Sequence, residues 1–179
     1  FLVWSNLHAG FILGLILLLA ILAAEAVCIL VGRRSQSDRR RIGQLVLATG
    51  CSLAACLINP NGVAIVAYPF ETQFNTAQQS LIEEWQSPNF HIGVLVPLLV
   101  FILTLAVLVV RYHKVSLRDG VVLTLCLVLT LQSVRNSVFL VAAGAPVWIN
   151  LAERLRRDVA RRWQLRLRSR QPFLAVFLE

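Results

Sequence analysis

The chain has 179 residues, 58% of them hydrophobic and only 15% charged, with 17 Lys and Arg against 9 Asp and Glu and a formal net charge of +8. An ordinary soluble domain carries about a quarter of its residues charged, so this balance excludes a soluble enzyme and points to a bilayer. The positive charge does not indicate nucleic acid, because the arginines flank long apolar runs and therefore suit anionic lipid headgroups.

A helix needs about 20 apolar residues to cross the hydrocarbon core, where no water can satisfy a bare backbone. Five segments qualify or nearly do: residues 9–31, 43–58, 92–110, 119–134 and 137–149. The first is apolar except for Glu25 and ends in a basic loop from Arg33 to Arg41. The second stops at Asn59-Pro60-Asn61-Gly62, whose fixed Pro φ and permissive Gly favour a turn. Residues 59–91 then form a long loop whose stretch 63–70, with Tyr68 and Pro69, is too short to span and reads as an interfacial or re-entrant helix. The third span carries Pro97 near its start and returns to a second basic loop at Arg111. Asp119 is the expected N-cap of the fourth span. Arg135-Asn136 makes a tight connection to a short fifth span containing Gly144 and Pro146. A merged helix across both runs would be far longer than the core requires, so two spans are expected.

Residues 151–179 form a tail in which Leu151, Leu155, Val159 and Trp163 recur at i, i+4 among arginines, the pattern of a basic amphipathic helix lying on the leaflet surface. The expected architecture is therefore all-α: a polytopic bundle of about five spans over residues 1–150, followed by this tail. The four cysteines all sit in apolar runs without CxxC spacing and read as packing residues, and no metal site is expected. No Met occurs, the first residue is Phe1 and no secretory signal is evident, so the sequence reads as a C-terminal piece of a longer protein whose earlier segments would be its partners.

Sixteen of the 17 basic residues fall in three clusters, Arg33 to Arg41, Arg111 to Arg118 and Arg154 to Arg170, and each follows or precedes an apolar run. Short positively charged loops stay in the cytoplasm. This places all three clusters and the C-terminus inside, facing anionic lipid, and residues 59–91, which carry Glu71, Glu83 and Glu84 but no Lys or Arg, outside. Arg135 is the exception, alone at the outer face.

The remaining polar residues gather on that same face: Asn6, His8, Asn59, Glu83, Glu84, Trp85, His91, Arg135 and Asn136. The guanidinium of Arg135 stays charged and presents a planar fork that matches phosphate or carboxylate; the competing reading is an ion pair with Glu83 or Glu84, or a side chain that snorkels to lipid phosphate. Glu83 and Glu84 read either as a base or as a solvated acidic loop anchored by Trp85 at the interface. Glu25 reads as a partner of Arg33 or Arg34, and Gly10 with Gly14 as a G-x-x-x-G site of internal helix packing.

Trp4-Ser5-Asn6-Leu7-His8-Ala9-Gly10-Phe11, Asn59-Pro60-Asn61-Gly62, Glu84-Trp85-Gln86-Ser87-Pro88 and Arg135-Asn136 together resemble a group of uncharacterised bacterial polytopic membrane proteins that are similar to the GT-C class of membrane glycosyltransferases. The resemblance covers residues 1 to about 150. It implies a protein of the bacterial inner membrane that takes a polyprenyl-phosphate-linked sugar as donor on the outer face, using a catalytic acid from a loop that is not in this sequence. It leaves Arg135 as a contact to the donor phosphate, with His8, Glu83, Glu84, Trp85 and Asn136 around the same cavity. No other cofactor is implied. The alternative is a transporter or non-catalytic membrane subunit, which would place ionisable residues and broken helices near the bilayer midplane.

Overall fold

The computed structural model describes residues 1–31, 36–73, 80–113 and 115–175, with side chains described over 1–31, 40–71, 80–113 and 115–164. All regular structure among these residues is helical. In chain order it comprises α1 (Leu2–Leu7), α2 (Phe11–Leu30), α3 (Gln36–Cys56), a 3-10 turn (Gly62–Val66), α4 (Tyr68–Gln73), two further 3-10 turns (Glu83–Trp85 and Gly93–Leu95), α5 (Val96–Tyr112), α6 (Leu117–Gln132), a 3-10 corner (Val134–Asn136) and α7 (Ser137–Ala175). Among the described residues, three helical stretches are long and apolar enough to cross a membrane: Phe11–Leu30, Gly93–Tyr112 and Val134–Gln164. They are compatible with an integral membrane protein. The helix α3 opens on a basic stretch that dilutes its apolar content, and α6, at 16 residues, is short for a span.

Side-chain anchors fix the directions of the helices. The start of α2 meets the end of α3 in a buried cluster of Phe11, Leu15, Cys56 and Ile65, so these two helices are antiparallel. Trp148 Nε1 donates to Thr104 Oγ1 at 3.0 Å and Tyr112 Oη donates to Asp158 Oδ2 at 2.9 Å, which makes α5 and α7 parallel. The α6 helix packs against both α2 and α7, and the tight 133–136 corner reverses the chain between α6 and α7. The bundle therefore has a polar end, which carries residues 1–10, 57–71, 80–95 and 133–136, and a basic end with Arg40, Arg41, Arg111, Arg118 and the arginines of α7. Many large apolar side chains stay exposed along the helices between the two ends, including Leu19, Leu53, Val100, Leu103, Val107 and Val128. In water such a surface would be an aggregation site, whereas in lipid it is solvated.

Several expectations change in detail. A separate short helix precedes the first apolar segment: His8, in extended conformation with its amide bonded to Trp4 O at 2.9 Å, ends α1 before α2 starts at Phe11, within the expected 9–31. Gly10 and Gly14 let α1 fold back onto α2, since a Cβ on Gly14 would lie 2.7 Å from the Trp4 ring and one on Gly10 would lie 2.8 Å from His8 Nδ1. The α6 N-cap is Ser116 rather than Asp119: Ser116 Oγ accepts from the Asp119 amide at 3.1 Å, leaving the Asp119 carboxylate to Arg118. The 63–70 stretch forms two short helices, with Val63, Tyr68 and Phe70 exposed.

The largest change concerns α7. The fifth apolar run and the basic tail are one unbroken helix of 39 residues, about 58 Å long, with no boundary at residue 150. Leu, Ala, Arg and Gln all favour helix, so the switch from apolar to basic composition changes the solvent the helix meets without ending it. The pairing of Glu25 with Arg33 or Arg34, the contribution of Lys114 to the second basic loop and the last four residues of the tail lie outside the described residues. Glu25 itself is buried on α2.

Candidate anion-binding cavity

Three backbone ties assemble the polar end. Asn6 Nδ2 donates to Ile58 O at 3.0 Å and joins α1 to the end of α3. Ser133 Oγ donates to Glu84 O at 2.9 Å, and the Val134 amide donates to Gln86 O at 3.0 Å, which fixes the Glu83–Trp85 turn against the α6–α7 corner. The Asn-Pro-Asn-Gly turn closes on itself: Asn59 Oδ1 accepts from the Asn61 amide at 2.8 Å and Gly62 takes a left-handed φ of 50°.

Between these pieces lies a cavity of about 640 Å³ lined by Asn6, His8, Asn59, Asn61, Tyr68, Trp85 and Arg135 together with smaller apolar groups. The guanidinium of Arg135 is half-buried at its wall and is approached from two sides. On one side Nη1 lies 3.6 Å from Glu84 Oε1, a loose ion pair with an exposed carboxylate. On the other, Nη2 meets His8 Nε2.

The hydrogen bonding of His8 decides what this arrangement can do. Its Nδ1 lies 2.8 Å from the Gly10 amide nitrogen, and an amide can only donate, so Nδ1 must be an unprotonated acceptor. A neutral imidazole then carries its proton on Nε2, the atom that faces Arg135. Arginine is always a donor. Two N–H donors therefore converge at the cavity wall, where His8 is exposed and Arg135 half-buried. An oxyanion entering the cavity beside the guanidinium and the imidazole N–H accepts from both. Glu84 neutralises part of the arginine charge from the far side and helps hold the fork in place, but five guanidinium N–H groups exceed what one loose carboxylate contact occupies.

The sequence-based candidates divide into two groups. His8, Trp85 and Arg135 line the cavity and Glu84 braces it from behind. Glu83 is exposed and does not line the cavity, and Asn136 has a structural task, donating from Nδ2 to Leu129 O at 3.0 Å to close the end of α6. His91 is exposed in the 86–92 loop, where its amide bonds to Asn89 Oδ1. Asn61 and Tyr68 enter the lining without having been singled out; the turn chemistry of 59–62 marked the first as a loop residue but not as a wall. Gly10 acquires a role that G-x-x-x-G spacing does not convey, since its amide sets the His8 tautomer and a side chain there would collide with the ring. Among the described residues, no group of three His, Cys, Asp or Glu side chains converges as a metal site would require. No protein-family model, curated protein or solved structure matches this chain.

Proposed function

We propose that the chain is part of a bacterial inner-membrane enzyme resembling the GT-C glycosyltransferases, and that its polar-end cavity holds the phosphate of a polyprenyl-phosphate sugar donor. The observation that carries this reading is the convergence of two donors, the Arg135 guanidinium and the His8 Nε2–H, on a cavity at one end of an apolar bundle. A phosphate at the lipid interface supplies both charge and acceptors at that level. Trp85 and Tyr68 suit the same boundary, because their rings are amphipathic. In this reading the five helices α2, α3, α5, α6 and α7 all cross, with the polar end extracytoplasmic and the basic end facing the cytoplasm. A transporter would need ionisable groups along its path through the membrane. Away from their ends, the apolar runs of the described helices carry Glu25 as their one Asp, Glu, Lys, Arg or His.

Native mass spectrometry of the protein released from nanodiscs tests the ligand class. Polyprenyl phosphate is expected to remain bound where the corresponding polyprenol is lost; equal retention of the two would remove the phosphate site. Orientation is tested separately by cysteine substitution in a background lacking the four native thiols. A membrane-impermeant maleimide applied to intact cells is expected to label position 78 and to spare position 36, and labelling of position 36 would invert the topology.

A further inference from the structure

Beyond Leu151, which is buried, the Tyr112–Asp158 hydrogen bond still ties α7 to α5, but every described side chain from Arg154 to Gln164 is exposed. Its apolar stripe nevertheless continues through Leu155, Val159 and Trp163, which are 36%, 45% and 63% exposed. The Tyr112–Asp158 hydrogen bond sets the level of this segment, because Tyr112 is the last residue of α5 and marks where that span ends. Leu155 to Trp163 rises about 12 Å along the axis, from about 4 Å below the level of Asp158 to about 8 Å beyond it, so an unbent helix carries the stripe through a headgroup layer of about 5–8 Å.

The charges in this segment are unbalanced in a specific way. Both of its acids are already engaged: Glu153 holds Arg156 and Arg157 at 2.7 and 3.0 Å, and Asp158 accepts from Tyr112. Arg154, Arg161 and Arg162 have no acidic partner among the described residues. A second copy packed on this stripe would bring two such arginine sets together, and like charges oppose that contact. An anionic surface complements it.

We propose that the Arg154–Trp163 segment of α7 is a collar that gathers anionic phospholipids, with Arg154, Arg161 and Arg162 on their phosphates, Leu155 at the upper acyl chains and Val159 and Trp163 among the headgroups. The site is independent of the cavity at the opposite end of the bundle. It differs from a surface-lying tail in that α7 stays one helix and recruits lipid as it leaves the bilayer. Arginine near an anionic interface is stabilised enough to enrich its neighbouring lipid by about fivefold per residue.

The test uses the full chain in nanodiscs of fixed composition, phosphatidylglycerol with phosphatidylcholine, in which bromine is carried next to the ester end of the acyl chains of one lipid or the other. The Trp163 signal is taken as the difference between the chain and W163F. Its quenching is expected to be at least about twofold stronger when bromine is on phosphatidylglycerol, and R154Q/R161Q/R162Q is expected to erase the preference while quenching of the other tryptophans stays unchanged. Equal quenching by the two lipids in the unaltered chain would overturn the proposal without recourse to the triple variant. Protection of Trp163 from both brominated lipids and from aqueous iodide would overturn it too, by showing a protein partner on the stripe.

Discussion

Replacing Arg135 with Ala is expected to lower the affinity for polyprenyl phosphate by about 10- to 100-fold, the range for losing charge-assisted hydrogen bonds to a phosphate. The fold should survive, because Arg135 is half-buried at a cavity wall and its one ion pair, with Glu84 at 3.6 Å, is loose and exposed. Arg135→Lys separates charge from geometry. It keeps the cation and loses the planar fork, so roughly tenfold weaker binding is expected from a point charge that can no longer serve phosphate and Glu84 together. Titration of the lipid phosphate against each variant in nanodiscs makes the measurement. Unchanged affinity in both variants would leave Arg135 as no more than the partner of Glu84.

The second large effect is expected at Gly14, away from the cavity. A Cβ there would sit 2.7 Å from Trp4 Cζ3 and 3.0 Å from Phe1 Cζ, so Gly14→Leu cannot coexist with α1 in its observed seat. The neighbours are ring atoms of a helix held by short local bonds, and displacing α1 is the least costly relief. Overpacking of this kind costs about 1–3 kcal/mol. His8 is the C-cap of α1 and would move with it, so phosphate binding should fall together with thermal stability. Gly14→Ala adds one methyl at the same point and should show a smaller loss of both. The helix–helix contact is made within one chain, so the oligomeric state should not change. A Gly14→Leu protein that kept its stability and its ligand would show that α1 does not depend on this seat.

Much of the bundle was legible in the sequence because the bilayer imposes simple rules on it. Apolar runs located α2, α5 and α6 to within four residues at each end, while α3 and α7 extend well beyond theirs, and sorting of charge placed polar residues at one end of the bundle and basic ones at the other. The break between α6 and α7 matches the expectation from sequence, where one helix through both apolar runs would have been far longer than the hydrocarbon core requires. The α7 boundary was not legible, because composition changes at residue 150 while helical propensity does not. Gly144 and Pro146 both lie inside α7, and at Gly144 Phe101 and Leu105 of α5 press to 3.0 and 3.2 Å from where a Cβ would stand.

The site was legible only in part, for a different reason. His8 and Arg135 are 127 positions apart, and no local pattern says that their side chains meet. Arg135 stood out because it broke a charge rule, whereas His8 was one polar residue among several. What joins them is the docking of α1 against α2, which depends on two glycines, and the anchoring of the Glu83–Trp85 turn through Ser133. Asn136, adjacent to Arg135, looked equally suited to a ligand, but its amide is spent on the open carbonyl of Leu129. Adjacent positions in a tight corner point in different directions, and the sequence does not record which one faces the cavity.

Whether His8 and Arg135 are two donors for one anion is read from the nitrogen-15 spectrum of His8 in nanodiscs, assigned by comparison with His8→Gln. The expected result is an imidazole with a bare Nδ1 and a protonated Nε2, whose Nε2 resonance shifts when polyprenyl phosphate is added and does not shift with polyprenol. A proton on Nδ1, or an Nε2 resonance indifferent to the phosphate, would contradict the account.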